Sequence, residues 1–351
     1  MNRNANTAVL GSVALLCLSL ASCASSTDTG AAGGGTAAAG GGKCVNGPVK
    51  VGIIPKLGTD PYMVTVRKAA EAAAAKDGST VIYTSPSDAT GAAQIPFVNQ
   101  LISQNVDAIM ISGSDLNSTS AALAKAKAQG IKVVSWDSDI APESRGFFLN
   151  QADTKKIGDQ MLTSMAKMMN SEGDFAILSS TQTAVNQNAW IASMKDKLAS
   201  DPAYAKMKLV TVAYGEEKAD VNAQKAKELV QAYPNLKGII IPAGIGLPAA
   251  AEALSQSGDL GRVKISGLAP VTLISQYIKT GNVQAVWWNV GNLGTLAFKT
   301  AEMYAQCKIQ PTVGSSYTVD PLGKFTVGAD GVVLLGEPTI VTPENLSTFP
   351  F

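Results

Sequence analysis

Asp137 lies in the run Ser135-Trp136-Asp137-Ser138-Asp139, directly after a short β-branched segment, where an ionised carboxylate could accept two or more hydrogen bonds from a bound molecule. Asn186, Gln187 and Asn289 can both give and take, whereas Lys56 adds donors only. Tyr62, Trp136, Trp190 and Trp288 offer aromatic faces to apolar C–H surface. Such a set suits an uncharged molecule rich in adjacent hydroxyls, each of which is donor and acceptor at once. Asp60 and Met63, flanking Tyr62, join the candidates, and Pro242 and Gly244 would contribute backbone groups and shape.

Each residue also has a plainer reading. Asp137 could cap the following turn, Lys56 could be a solvated surface lysine, and Asn186 and Gln187 could simply start their helix. Trp136 and Trp190 suit a core nearly as well as a ligand platform, and Asp139 reads as structural.

Composition excludes several chemistries. The 351 residues include no histidine, so a Ser-His-Asp triad, a histidine general base and a histidine-ligated metal site are ruled out. Lys and Arg number 28 against 27 Asp and Glu, which gives no electrostatic reason to propose a nucleic-acid partner. Phosphate-loop and dinucleotide fingerprints are missing, as is a Cys or His metal cluster; Gly113-Ser114-Asp115 and Gly244-Ile245-Gly246 are weak glycine signals that loop geometry explains. Neither cofactor nor metal is expected. A carboxylate-based glycosidase would need a positioned acid and nucleophile pair, and only Asp137 and Asp139 share a loop.

The elements that would position these residues alternate between strand and helix. Val49 to Ile54, Val81 to Tyr83, Ala108 to Ile111 and Lys132 to Ser135 read as strands, with helices from Tyr62 to Lys76, Gln94 to Ser103 and Ser118 to Ala128 between them. After Asn150 a second series runs from a helix at Lys155 to Met169 to a strand at Gln284 to Trp287. This pattern predicts two doubly wound, Rossmann-like α/β lobes with parallel sheets and right-handed crossovers. Ligands of open sheets bind beyond the carboxyl ends of the strands, and the candidate residues fall in those loops.

The N-terminus reads as an address. Residues 1–22 carry Arg3, an apolar run from Ala8 to Leu20 and small residues at the end, as a secretory signal does; the run is too short for a comfortable bilayer span. Leu20-Ala21-Ser22-Cys23 resembles a bacterial lipobox with Cys23 as the lipidated residue. Residues 23–45 are mostly Ser, Thr, Gly and Ala and predict a flexible tether. Cys44 and Cys307 remain, on the exported side where disulfides persist, and are expected to pair; the alternative is two buried free thiols.

Ile54-Pro55-Lys56, then Ser135 to Asp139, Asn150-Gln151, Asn186-Gln187-Asn188-Ala189-Trp190, Leu247-Pro248-Ala249-Ala250-Ala251 and Trp288 occur in an order that resembles the type I periplasmic sugar-binding proteins of ABC importers, within the branch of the autoinducer-2 receptor and rhamnose-type binding proteins. The resemblance spans roughly Val49 to Phe351. It implies two lobes joined by a three-segment hinge that close on a small neutral sugar or polyol. Together with the signal segment and the lipobox-like Cys23, it leads to the expectation of a monomeric, lipid-anchored, non-enzymatic receptor, exported to the periplasm or the outer face of the cytoplasmic membrane, which serves an ABC permease with its ATP-binding subunit. The hinge would cross at Asn150 and Gln151, near Trp288 and Asn289, and near Ser316 to Phe325. On that basis the N-terminal lobe is 46–149 plus 290–318 and the C-terminal lobe is 150–289 plus 319–351, with Cys307 returning near Cys44. The chain departs from the autoinducer-2 receptor, which has Asp-Gln where this chain has Asn186-Gln187 and Pro-Asp-Ala where it has Pro242-Ala243-Gly244. Losing a carboxylate changes which hydroxyls can be held and favours a monosaccharide or linear polyol, with a rhamnose-like deoxyhexose as one candidate. A sugar-responsive repressor of the same fold would need a basic helix-turn-helix before Val49, where the signal and tether stand instead.

Overall fold

A computed structural model describes residues 44–349. The signal segment, the tether up to residue 43, Cys23 and the last two residues lie outside the described residues. The first series comprises β1 (Lys50–Ile54), α1 (Pro61–Lys76), β2 (Thr80–Tyr83), α2 (Gly91–Ser103), β3 (Ala108–Ile111), α3 (Ser120–Ala128), β4 (Lys132–Trp136) and β5 (Phe147–Asn150). The second comprises α4 (Thr154–Met168), β6 (Glu172–Ser179), α5 (Val185–Ser200), β7 (Lys206–Tyr214), α6 (Ala219–Ala232), β8 (Leu236–Ile241), α7 (Gly246–Ser257), β9 (Lys264–Gly267), α8 (Val271–Lys279) and β10 (Val283–Trp287). The chain ends with α9 (Val290–Ala305), β11 (Ser316–Val319), β12 (Gly323–Thr326), β13 (Val332–Leu334) and β14 (Thr339–Val341).

Two six-stranded sheets result, in the orders β13-β5-β4-β3-β1-β2 and β14-β10-β9-β8-β6-β7. The first is parallel throughout, and the second is parallel except for β14, which runs antiparallel to β10. Helices on both faces bury the strands, which explains why β3 (AIMI) and the end of β8 (GIII) are continuously apolar rather than alternating. In the first lobe Val51, Ile53, Val134 and Phe147 pack with Val66 and Ala70 of α1 and with Leu293, Leu296 and Phe298 of α9. In the second, Ile239, Ile241 and Ile265 pack with Leu247 and Leu254 of α7 and with Ile274 and Ile278 of α8.

The C-terminal segment corrects the boundary expected from sequence. Residues 319–334 do not join the second lobe, because β13 pairs with β5 at the edge of the first sheet. The hairpin of β11 and β12 packs there too: Tyr317 stacks edge-on with Phe147 at 6.2 Å, and its hydroxyl hydrogen-bonds to Thr300 of α9 at 2.7 Å. The third crossing therefore runs through residues 335–338, between β13 and β14, and not through Ser316 to Phe325. Burial of Tyr317, Val319 and Phe325 in the first core holds the hairpin on that side.

Cys44 and Cys307 form a disulfide, with Cα atoms 5.4 Å apart across 263 residues of sequence, which ties the entry to β1 to the end of α9. A covalent link over so long a loop restricts the unfolded chain strongly. Replacing both cysteines by serine is expected to lower Tm by several degrees in scanning calorimetry while leaving cleft occupancy unchanged. An equal Tm for the two proteins would show that the link carries no stability.

Candidate functional site

The carboxyl ends of both sheets face each other across a cavity of about 310 Å³, at the lower end of the range of about 300 to 1,000 Å³ usual for small-molecule sites. The first lobe supplies Lys56 after β1, Asp60, Tyr62 and Met63 at the start of α1, and Asp137 after β4. The second supplies Asn186, Gln187 and Trp190 on α5, and Gly244 after β8. Trp288 and Asn289 come from the crossing between β10 and α9. Of the twelve ligand-binding candidates only Pro242 lies outside this lining: it is buried directly after β8, and Gly244, two residues on, is the part of that loop that reaches the cavity. A β-carbon at Gly244 would stand 3.8 Å from Asp60 Oδ1, so the residue's smallness lets the loop of one lobe approach the other.

Local chemistry fixes each side chain. Asp60 caps α1, its Oδ1 accepting the Tyr62 N–H at 2.9 Å ahead of Pro61 in the first turn. Asp137 holds φ at +61°, a left-handed conformation that aspartate tolerates better than most residues. Its carboxylate turns into the cavity rather than capping a turn: Oδ2 accepts from Ser112 Oγ at 3.2 Å and Asn186 Nδ2 at 3.4 Å and stands 3.8 Å from Lys56 Nζ. Asn186 is the second residue of α5 and does not cap it. Asn289 does cap α9, its Oδ1 accepting the Asn292 N–H at 2.9 Å, which leaves its amide NH₂ for other partners. Trp136 belongs to the first core and Asp139 is structural, paired with Arg145 at 2.5 Å and taking a bond from Ser135 Oγ.

Lys56 is a clasp between the lobes. Its ammonium donates to Asn186 Oδ1 at 3.2 Å and Gln187 Oε1 at 3.4 Å, both on the opposite lobe, while Asp137 of its own lobe balances its charge. These contacts, with Thr183 Oγ1 to the Ser114 carbonyl at 3.4 Å, show the lobes closed on each other. Opposite the polar side stand three aromatic rings: Trp288 packs edge-on with Tyr62 at 6.3 Å and tilted against Trp190 at 6.2 Å, and its Nε1–H donates to the Tyr62 hydroxyl at 3.0 Å.

Glu217 is the charged wall residue that the sequence reading missed. It lies after β7, 7% exposed, with the backbone of Glu216 and Glu217 both left-handed and its Oε1 accepting from Ser180 Oγ. Leu268, Ala269 and Pro270 after β9, with Val271 at the start of α8, add an apolar stretch. The place of Glu217 just past β7 is the signal that points to it, since the other strands also deliver site residues from the loops at their carboxyl ends. The lining thus holds three carboxyl groups, Asp60, Asp137 and Glu217, and one amine, Lys56. Burial first, and the Glu217 charge second, push Asp60 up to about 7. Burial also raises Asp137, opposed by Lys56, and raises the Tyr62 hydroxyl well above its ordinary range. Among the described residues no group of side chains could hold a metal ion, and no helix is long and apolar enough to cross a membrane.

Comparison with known proteins agrees with this fold. A family described as a periplasmic binding protein domain matches residues 51–309. The D-ribose/D-allose-binding protein of Pseudomonas aeruginosa is 25% identical over 197 residues, 55% of this chain and 60% of that protein, so the match spans less than two thirds of that relative's length. An ABC transporter solute-binding protein of Clostridium phytofermentas, solved with bound L-rhamnose, superposes with a TM-score of 0.82 at 32% identity, covering 86% of this chain and 98% of that one. LsrB of Clostridium saccharobutylicum, solved with AI-2, superposes with a TM-score of 0.80 at 24% identity, covering 86% of this chain and all of that one, a likeness of fold.

Proposed function

The chain belongs to the periplasmic binding protein family, and we propose that it captures one small neutral sugar or polyol between its lobes and delivers it unaltered to an ABC permease with its ATP-binding subunit. The observation that carries this reading is the closed cleft itself, in which carboxylates and amides face a wall of Tyr62, Trp190 and Trp288. Asp137, Glu217 and Asp60 would accept from ligand hydroxyls, the free NH₂ of Asn289 would donate, and the rings would cover the C–H face. Lys56 would act by fastening the lobes, so closure needs both lobes to meet around the cargo. With Cys23 lipidated, the protein would work as a tethered monomer on the outer side of the membrane, and Asn150 and Gln151 would belong to its hinge.

A deoxyhexose fits this lining better than autoinducer-2, because Asn186 replaces the carboxylate that the autoinducer-2 receptor carries there. Isothermal titration of the folded protein with L-rhamnose, D-ribose, D-allose and autoinducer-2 is the test. One-site binding of a sugar, recovered unchanged afterwards, is the expected result. Heat from none of them, or turnover of the bound sugar, would remove the proposal.

A further inference from the structure

The three segments by which the chain passes between its sheets meet around one small cavity of about 210 Å³. Gln151 follows β5, Trp288 and Asn289 follow β10, and Leu335, Gly336 and Glu337 lie between β13 and β14. Trp288 and Asn289 are shared with the cargo cleft, so the two cavities have a common wall. Neighbouring polar groups are satisfied locally: Asn150 Nδ2 donates to Thr154 Oγ1 at 3.2 Å, and the Leu335 N–H donates to the Asn150 carbonyl at 2.8 Å, lacing the first crossing to the third.

Gln151 differs. Its side chain is 0% exposed, and neither its amide oxygen nor its amide nitrogen has a hydrogen-bond partner. Among the described residues no other side chain has both ends of an amide buried in this way. Although Gln151 borders the cavity, solvent touches neither end of its amide; an amide left so is costly, and the cost ends as soon as water can reach it. The lobes are closed in this structure, and rotation about the three crossings is the motion that would part the segments around Gln151.

We propose that Gln151 is a positioning residue that sets the balance between open and closed lobes, its unpaired amide favouring the open form until cargo holds the cleft shut. The inference rests on the two-lobe receptor reading only in that the lobes open, and the identity of the cargo does not enter it. A ligand then spends part of its binding energy on drying this amide, and an apolar side chain of similar length removes that cost.

The test compares the unliganded folded protein with Gln151→Met and Gln151→Leu by small-angle scattering and thermal melting. Both variants are expected to show a smaller radius of gyration than the parent and a Tm higher by a few degrees. An unchanged or larger radius of gyration overturns the proposal even where Tm rises, since a merely structural residue would shift Tm alone. Loss of fold in both variants, judged by circular dichroism, overturns it equally, because a side chain without partners can be replaced by an apolar one of its own length. Failure of every sugar to bind would defeat the receptor reading and leave this result standing.

Discussion

Asp137→Ala is expected to weaken sugar binding at least 100-fold and to lower Tm, whereas Asp137→Asn should keep the fold and weaken binding about 10-fold. The carboxylate is buried against Lys56, Ser112 and Asn186, so the alanine leaves a buried ammonium with only the amide oxygens of Asn186 and Gln187 as partners and no counter-charge beside it. Removing one partner of a buried ion pair costs about 3–5 kcal/mol. Alanine also pays for the left-handed backbone at this position, on the order of 1–2 kcal/mol, which asparagine tolerates. Asparagine can still accept from Ser112 but carries no charge toward the ligand hydroxyls or Lys56, a difference worth about 1–3 kcal/mol for hydrogen bonds to a charged group. Titration calorimetry and melting curves on both variants separate these terms. Parent-like affinity in Asp137→Asn would mean that the ligand does not meet this carboxylate.

The reason Asp137 could be picked out from sequence is the reason much of the site could. A strand buried on both faces is a short apolar run, and in an open parallel sheet the residue just past such a run is delivered to the ligand end. Val133 and Val134 lead to Asp137 in this way, as Ile53 and Ile54 lead to Lys56. Glu217 escaped although the end of β7 is legible, because the strand is half-buried along most of its length and does not read as a core strand that delivers its loop to the ligand end. β13 and β14 are three residues each, too short for periodicity to register, and their sheets are chosen by long-range pairing with β5 and β10. The hairpin of β11 and β12 is legible locally, with Asp320-Pro321-Leu322-Gly323 as its turn, yet nothing in its own residues says which core receives Tyr317 and Phe325. Local chemistry thus reached the walls of the cleft, while the path of the third crossing depended on contacts remote in sequence.

The acid excess in the cleft has a measurable consequence at Asp60. Its carboxyl ionises at about 7 in the closed fold against 3.8 in the unfolded chain, so the folded state holds the proton more tightly. Below about pH 4 the group is protonated in both states and costs nothing. As pH rises from 4 to 7 the unfolded chain releases the proton first, and stability falls. Above 7 both states are ionised and the whole penalty remains, about 4 kcal/mol for the gap between the two values. Asp60→Asn keeps the cap on α1, since asparagine serves there as well as aspartate, and removes the titration. With cargo holding the lobes shut, the Tm of the parent relative to Asp60→Asn is therefore expected to decline from pH 4 to 7 and then level off. Glu217→Gln should shrink the decline, because the Glu217 charge is the second cause of the shift. Closing the lobes buries Asp60 within the field of the Glu217 charge, so cargo affinity in the parent should also be greater at pH 6 than at pH 8 and nearly flat in Asp60→Asn. Parallel Tm curves for parent and variant across this range would show that Asp60 stays solvated, and the two lobes would then not close as tightly in solution as the contacts from Lys56 to Asn186 and Gln187 require.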